Sequence, residues 1–312
     1  MGKEVLYVIG MIRKVTTLLL VLSMTFFFTG CSEKQKSEPG TKRQTRTAIL
    51  TPQAPGEVVY ENTLVQLDAS RTADGYVQLC YLGEAPKAKV QITAPDETVY
   101  TYNLLPQNRE ILPLTGGTGG YSIRVLENVR EDMYAMIFSQ DIQVTIADPF
   151  SPFLYPNQYA WFTQQSRAVE LGMELSDQSA SDLDYVERVY CYVTDNIRYD
   201  EQLAQNPPLG YLPVVDDTLA SGKGICFDYA ALMTALLRSQ GIPTKLVIGY
   251  SGTQYHAWIS VYLTQTGWVD KAIYFDGSDW VLMDPTLGAS NDSRSVKQYI
   301  GDGSHYVAKY QY

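Results

Sequence analysis

The spacing of apolar residues changes twice along this chain, and these changes constrain the fold more than any other feature. From about Val58 to Ile146, short segments alternate apolar and polar residues and are separated by turn residues. After a proline-rich junction at 148–156, apolar residues recur every three or four positions, which is the period of a helix. Beyond Pro243 the alternation returns. Strands, then helices, then strands predict an α+β fold and not a parallel βαβ array.

The alternating block from Val58 to Ile146 and the helical block that follows the junction at 148–156 also predict domains. Several short strands within about 90 residues favour a small antiparallel, immunoglobulin-like sandwich, and Cys80 is expected in its core. In the second block a capping signal at 181–184 precedes a stretch with one apolar face, from Leu183 to Ile197. We therefore predict a β-sandwich domain at 56–148 and a second domain at 149–312.

Length and charge exclude some functions. The 312 residues are enough for about two domains. A net charge of -10 argues against nucleic-acid partners, which need clustered lysine and arginine. Two distant histidines, without a cysteine pair at ligand spacing, predict no metal site. The glycines at 116–120 lack the Lys-Ser/Thr continuation of a phosphate-binding loop, and we expect no cofactor.

The first 31 residues have the pattern of an export signal. Arg13 and Lys14 precede an apolar stretch from Val15 to Phe28, which is shorter than the roughly 20 residues needed to span a bilayer. The Phe-Thr-Gly-Cys that ends at Cys31 resembles a bacterial lipoprotein signal, whose cysteine becomes lipidated. We therefore expect an extracytoplasmic protein, anchored to the cell membrane by lipid on Cys31. Polar residues then predict a flexible tether at 32–55.

One cysteine lies at a position suited to chemistry. In the stretch 221–245, Cys226 follows Gly222 and Gly224 and opens a helical run. A helix N-terminus has unsatisfied amides and a partial positive charge, so it stabilises a thiolate, and the Cys226 amide can help to hold an oxyanion. The glycines are expected to leave room for a substrate, and Asp228 to cap nearby amides. The alternative is an ordinary buried cysteine, since most helical cysteines belong to a core.

A base and an acid can be assigned to the same site. His256 begins an alternating strand, and an imidazole can accept the thiol proton near neutral pH. His305 lies among polar residues near the C-terminus and looks like surface. Asp284 ends the next apolar strand, where its carboxylate could accept a hydrogen bond from the imidazole. Three other aspartates are alternatives in turn-like surroundings: Asp270, Asp276 and Asp279.

Three blocks of the chain resemble the core of the transglutaminase-like cysteine enzyme superfamily. They are GKGICFDYAALMTALLRSQGIPTKLVIGY, HAWISVYL and WVLMDPT, and the resemblance covers roughly 183–290. It implies a papain-like fold, with helices followed by an antiparallel sheet, and a triad of Cys226 as nucleophile, His256 as base and Asp284 as orienting acid. The family's further oxyanion donor is an aromatic residue upstream of the cysteine. Tyr199 is the candidate for it, and core packing accounts for Tyr199 equally well.

The resemblance implies a bacterial surface enzyme that transfers acyl groups through a thiol and acts on peptide or glutamine-type amide bonds. Attack by water would make it a protease or amidase, attack by an amine a transglutaminase, and hydrolysis is the broader expectation. The expected partner is a protein or peptide, which could be associated with the cell wall. The alternative is a non-catalytic surface binding or scaffold protein that retains the fold. An arylamine acetyl-transferring enzyme would share the triad, but the residues flanking Cys226 and His256 fit it less well.

Overall fold

A computed structural model of the protein describes residues 43–269, 274–275, 280–281 and 306–312. The expected lipidation site Cys31 and the expected acid Asp284 lie outside the described residues, as does His305. The three alternative aspartates also lie outside them. In the part of the chain that is described, no helix combines the length and the apolar character needed to cross a bilayer.

The strands from residue 59 to 144 form two four-stranded antiparallel sheets. In the fourth strand the side chains of Ala88, Val90 and Ile92 are buried, and those between them are half-exposed. This alternation buries one face of each sheet against the other, which confirms the predicted sandwich. The sheet orders are β1-β2-β3-β6 and β5-β4-β7-β8. The strands are β1 (Val59–Glu61), β2 (Val65–Asp68), β3 (Tyr76–Tyr81), β4 (Ala88–Thr93), β5 (Val99–Leu104), β6 (Arg109–Pro113), β7 (Gly119–Arg130) and β8 (Met133–Val144).

Helices follow the sandwich, in the predicted order. The predicted cap is confirmed, since the Ser181 hydroxyl accepts a hydrogen bond from the Asp184 amide at 3.1 Å. A second helix start is capped from elsewhere in the chain, because the Asp216 carboxylate accepts bonds from the amides of Arg167 and Ala168. The helices are α1 (Arg167–Asp177), α2 (Asp182–Asn196), α3 (Glu201–Gln205), α4 (Val215–Ser221) and α5 (Cys226–Ser239).

A third four-stranded antiparallel sheet has the order β13-β12-β11-β16, and a short parallel pair, β9 with β10, lies before α5. Strand β16 was not predicted; it pairs with β11 and comes from the C-terminal part of the chain. The strands are β9 (Arg198–Tyr199), β10 (Lys223–Gly224), β11 (Thr244–Ser251), β12 (Gln254–Leu263), β13 (Gly267–Val269), β14 (Tyr274–Phe275), β15 (Trp280–Val281) and β16 (Tyr306–Gln311).

Helix α5 lies at the centre of the second half of the fold. It packs against α1, α2 and α4, and also against β11 and β12. From Asp228 to Ser239 every residue is buried, as expected for a helix that is covered on all sides. The helix ends at Gly241, whose left-handed backbone (φ +76°) lets the amides of Gly241 and Ile242 bond back to carbonyls of the last turn. This short turn leads directly into β11.

The proline-rich junction at 148–156 packs against the sheet β13-β12-β11-β16. Phe150 lies 4.1 Å from Tyr262 between ring centroids, and Phe153 lies 5.3 Å from Trp268. The buried apolar residues form one continuous core from the sandwich to the helices, and the described residues belong to a single compact unit. The boundary between 148 and 149 therefore stays a prediction from sequence.

The end of the predicted tether is held against the helices. Arg43 donates hydrogen bonds to Asp182 at 2.8 Å, to the Gln240 carbonyl at 2.6 Å and to the Ser176 hydroxyl, and its guanidinium lies 4.5 Å from the Tyr185 ring centroid. Three residues after Arg43, the backbone of Arg46 exchanges two hydrogen bonds with the Gln240 side chain. From residue 43 the chain is thus bound to the fold, because its charged and polar groups find partners there that composition does not reveal.

Candidate active site

The expected nucleophile is the first residue of α5. Ile225 before it has an extended backbone (φ −98°, ψ 178°), so the chain enters the helix at Cys226. The Cys226 thiol is free and half-buried. The other free thiol among the described residues, Cys80, is 6 % exposed within β3, as predicted for a core residue. Of these two free thiols, Cys226 is the one that combines a helix N-terminus with access from solvent.

The amides at the start of α5 divide into two used and two unused donors. The Asp228 carboxylate accepts a hydrogen bond from the Ile225 amide at 2.8 Å and another from its own amide. Within the described residues, the amides of Cys226 and Phe227 donate no hydrogen bond. These two amides are neighbours, and one belongs to the cysteine itself. They can bind an anionic oxygen that forms beside the thiol.

The glycines before the cysteine serve the backbone and not a substrate. Gly222 has a left-handed conformation (φ +62°) that ends α4. A Cβ added to Gly224 would lie 2.5 Å from the Cβ of Asp228 and 3.0 Å from one of its carboxylate oxygens. The expectation that both glycines leave room for a substrate is therefore wrong at Gly224, because the Asp228 side chain fills that space.

Asp228 has a partner that sequence reasoning missed. The Tyr211 hydroxyl donates a hydrogen bond to Asp228 at 2.7 Å. Burial raises the pKa of Asp228, which is 2 % exposed, while the bonds from Ile225 and Tyr211 act in the opposite direction. Burial also raises the pKa of Tyr211. The capping role of Asp228 could be read from its place in the first turn, but no spacing rule connects Tyr211 to it.

Tyr199 lies close to the start of the helix. Strand β9 runs parallel to β10, and Tyr199 is in register with Gly224, two residues before the cysteine. The Asp200 amide donates to the Gly224 carbonyl at 2.9 Å, and a similar bond joins Arg198 to Gly222. The Tyr199 side chain is half-buried and packs against the core. This position is compatible with an oxyanion donor and with a core residue. The role of Tyr199 as an oxyanion donor stays a prediction.

His256 lies in β12, opposite Gly249 of β11. Because β11 follows α5 through a short turn and packs against it, the strand runs back along the helix. The 14 residues of α5 span about 20 Å. The strand from Thr244 to Gly249 covers about 17 Å. A strand that runs back along α5 over this length would bring His256 to the end of the helix that carries Cys226, and this closeness stays a prediction.

The imidazole has aromatic neighbours on its own face of the sheet. Its ring centroid lies 6.4 Å from that of Trp258 and 6.2 Å from that of Tyr306, and the side chain is half-buried. The alternate residues Ala257 and Ile259 point to the opposite face and belong to the core that includes α5. The His256 ring thus lies on the same face as Trp258, and its approach to the Cys226 thiol stays a prediction.

A further tyrosine lies beside the residue that follows the cysteine. The Tyr159 ring centroid lies 5.6 Å from that of Phe227, which follows the cysteine. Tyr159 is also among the groups that raise the pKa of Tyr255, which precedes the histidine; burial is the largest cause, and that pKa is about 12. Tyr159 itself stacks on Tyr312, with 3.9 Å between ring centroids. Sequence reasoning did not single out Tyr159, which lies in the segment before the first helix.

The remaining predicted site residues cannot be placed, because Asp284 and Cys31 lie outside the described part of the chain. Within the described residues there is no group of three or more histidine, cysteine or acidic side chains that could hold a metal ion. The site as far as it is described consists of a thiol, an imidazole and main-chain amides. This set of groups can perform nucleophilic attack, proton transfer and oxyanion binding.

The part of the chain that contains Cys226 and His256 is similar in sequence to known proteins. Residues 170–285 match the Transglutaminase-like superfamily. A protein-glutamine gamma-glutamyltransferase of Pseudomonas aeruginosa is 27% identical over 119 residues, which is 33% of this chain and 16% of that protein. The mouse kyphoscoliosis peptidase is 29% identical over 140 residues, 41% of this chain and 19% of that protein. This chain thus spans less than a fifth of the length of these relatives.

A solved structure is also similar. The crystal structure of red sea bream transglutaminase matches with a TM-score of 0.31 and 12% identity, over 70% of this chain and 48% of that one. The order of elements in this chain, helices and then an antiparallel sheet with the cysteine at a helix start, is the one expected from the sequence resemblance. The fold is therefore of mixed helix and sheet type, with a core like that of this superfamily and a sheet region before it.

Proposed function

We propose that this chain is an enzyme that transfers acyl groups through the thiol of Cys226, because residues 170–285 match the Transglutaminase-like superfamily. Its substrates are peptide or glutamine-type amide bonds of proteins or peptides. His256 is the general base of this proposal, and Asp284 orients the imidazole. The names of the relatives support the class of chemistry, because one is a glutamyltransferase and another a peptidase.

The first half-reaction forms a thioester. The Cys226 sulfur attacks the amide carbonyl carbon, and the thiol proton passes to His256. The electron pair of the C=O bond moves onto oxygen, and the oxyanion accepts hydrogen bonds from the amides of Cys226 and Phe227. When the carbonyl re-forms and the C–N bond breaks, the leaving amine takes the proton from His256. The acyl group is then bound to sulfur.

The second half-reaction releases the acyl group. Water or an amine attacks the thioester carbonyl and gives a proton to His256, and the thiolate leaves and recovers that proton. Water yields a carboxylic acid, the product of a protease, amidase or deamidase. An amine yields a new amide, the product of a transglutaminase. Hydrolysis is the outcome we expect, because water needs no second binding site.

One observation supports this proposal more than any other. The free, half-buried thiol of Cys226 adjoins two amides that donate no hydrogen bond among the described residues. The amides on either side of this pair are bonded to Asp228. The first amides of any α-helix lack partners within the helix; what supports the proposal is that here such a pair lies directly beside a free, half-buried thiol.

The experiment separates the possible products. The full chain is incubated with benzyloxycarbonyl-Gln-Gly and with casein, each with and without cadaverine. Ammonia release without amine uptake identifies a deamidase, casein fragments a protease, and cadaverine incorporation a transglutaminase. Intact-mass analysis of quenched samples should detect an acyl adduct on Cys226. If no product forms in any arm and Cys226 never carries an acyl group, the enzyme proposal is wrong and the non-catalytic scaffold replaces it.

We also propose that the enzyme acts outside the cytoplasm, anchored by lipid on Cys31. The support is the sequence pattern that ends at this residue, and the bound segment that begins at Arg43 gives the chain a folded attachment only 12 residues later. A Cys31→Ala variant should move from the membrane fraction to the soluble fraction of the producing cells. Equal membrane association of the variant and the parent would contradict lipid anchoring.

A further inference from the structure

We propose that Tyr211 is a positioning residue of this site: through Asp228 it holds the turn that presents the amides of Cys226 and Phe227 to the acyl oxygen. The inference rests on the proposed acyl-transfer function and adds a residue to it. Tyr211 belongs to the segment between α3 and α4, so a loop on the surface contributes to the geometry of the helix start.

The Asp228 carboxylate is bonded from two directions. One of its oxygens accepts the Tyr211 hydroxyl at 2.7 Å, and the other accepts the Ile225 amide at 2.8 Å. A buried carboxylate is costly unless it is hydrogen-bonded, so each of these donors restricts where the side chain can lie. Gly224 adds a steric limit, because the Asp228 side chain fills the place where a side chain on Gly224 would be.

This arrangement decides which amides remain available. Asp228 occupies the amide of Ile225 and its own amide. The two amides between them, of Cys226 and Phe227, are left unpaired among the described residues and lie on the same turn. If Asp228 moved, its oxygens could take one of these donors instead, since a carboxylate can accept several amide bonds. The Tyr211 bond holds the carboxylate away from that competing position.

The loop that carries Tyr211 is exposed from Asn206 to Gly210, whereas Leu212 is half-buried and Pro213 is buried. Leu209 is fully exposed and Val214 is 55 % exposed, while Tyr211 itself is half-buried. The Tyr211 amide bonds within the loop, to the Pro208 carbonyl at 3.0 Å. The hydroxyl bond therefore joins an exposed segment to the buried start of α5. Burial raises the pKa of the Tyr211 hydroxyl, and the bond to Asp228 and the negative charges of Asp228, Asp200 and Asp217 act in the same direction, so the hydroxyl stays protonated and donates.

The test compares two reactions of the same sulfur. Acylation of Cys226 by 4-nitrophenyl acetate forms an oxyanion, whereas alkylation by iodoacetamide forms none. Both rates are measured for the full-length parent and for Tyr211→Phe, Asp228→Asn and the double variant, with the rate of Cys226→Ala subtracted. Tyr121→Phe is the matched control, because it removes a hydroxyl that donates only to the carbonyls of Leu114 and Gly117 in the sandwich.

We expect Tyr211→Phe to slow acylation by about tenfold or more, since small displacements of an oxyanion donor are costly. Alkylation should change by less than about twofold, because it does not use the amides. The double variant should acylate no more slowly than Asp228→Asn, because Tyr211 acts through Asp228. Tyr121→Phe should match the parent in both reactions.

Three results would overturn the inference: an acylation rate of Tyr211→Phe equal to the parent's, an equal fall in both reactions, or additive effects in the double variant. A different result would contradict the proposed function itself, namely that Cys226→Ala reacts with 4-nitrophenyl acetate as fast as the parent. The failure of the positioning role and the failure of the thiol mechanism are therefore distinguished within one experiment.

Discussion

A Cys226→Ala variant is expected to lose acyl-transfer activity by about 10³-fold or more, because no other group of the site can form the covalent intermediate. His256→Asn should lose a comparable amount, since a nucleophile and its base act as a unit and their separate losses do not add. The measurement is kcat/KM for whichever substrate of the casein or glutamine dipeptide assays is turned over. The free energies of unfolding of both variants are measured alongside.

The control is the other free thiol of the described residues. Cys80 is 6 % exposed within β3 of the sandwich. Cys80→Ala should keep kcat/KM within about twofold and lose about 1 kcal/mol of stability, because it removes a small buried side chain. Equal activity of Cys226→Ala and the parent would end the thiol mechanism. Loss of activity in Cys80→Ala without unfolding would show that the active thiol had been misassigned.

Much of the fold could be predicted, because the predictive signals are local. The sandwich strands follow from two-residue alternation, and the start of α2 follows from Ser181 and Asp184. Strand β16 was missed although Tyr306, Ala308 and Tyr310 alternate with polar or exposed residues. Its partner β11 lies more than 50 residues earlier in the chain, and pairing at that separation leaves no local mark.

The site was predictable in part for the same reason. The place of Cys226 at a helix start and the capping role of Asp228 depend on neighbours in sequence, and the structure has both. Tyr211 reaches Asp228 across 17 positions, and Tyr159 reaches Phe227 across an even longer separation. Such contacts depend on how the loops pack. The docking of Arg43 is of this kind as well, because its partner Asp182 lies at the start of α2 and its partner Gln240 follows the end of α5.

The largest loss of stability is expected at Arg238, near the end of α5. Its side chain is 2 % exposed and donates to three main-chain carbonyls: to Thr244 at 2.9 and 2.7 Å, to Tyr155 at 2.7 Å and to Tyr312 at 2.6 Å. No salt bridge to Arg238 occurs within the described residues. Burial lowers the pKa of Arg238 to about 9.

Arg238→Met should therefore lower the free energy of unfolding by about 3–5 kcal/mol, because main-chain oxygens of three residues each lose a hydrogen bond from the guanidinium at once. Arg238→Lys keeps the charge but cannot reproduce the planar fork of donors, so we expect about half that loss. Arg124→Ala, at an exposed position of β7, should stay within about 0.5 kcal/mol of the parent. Urea unfolding followed by tryptophan fluorescence compares the four proteins. If Arg238→Met unfolds at the same urea concentration as the parent, the guanidinium does not hold the junction, α5 and the final strand together, and apolar packing alone must do so.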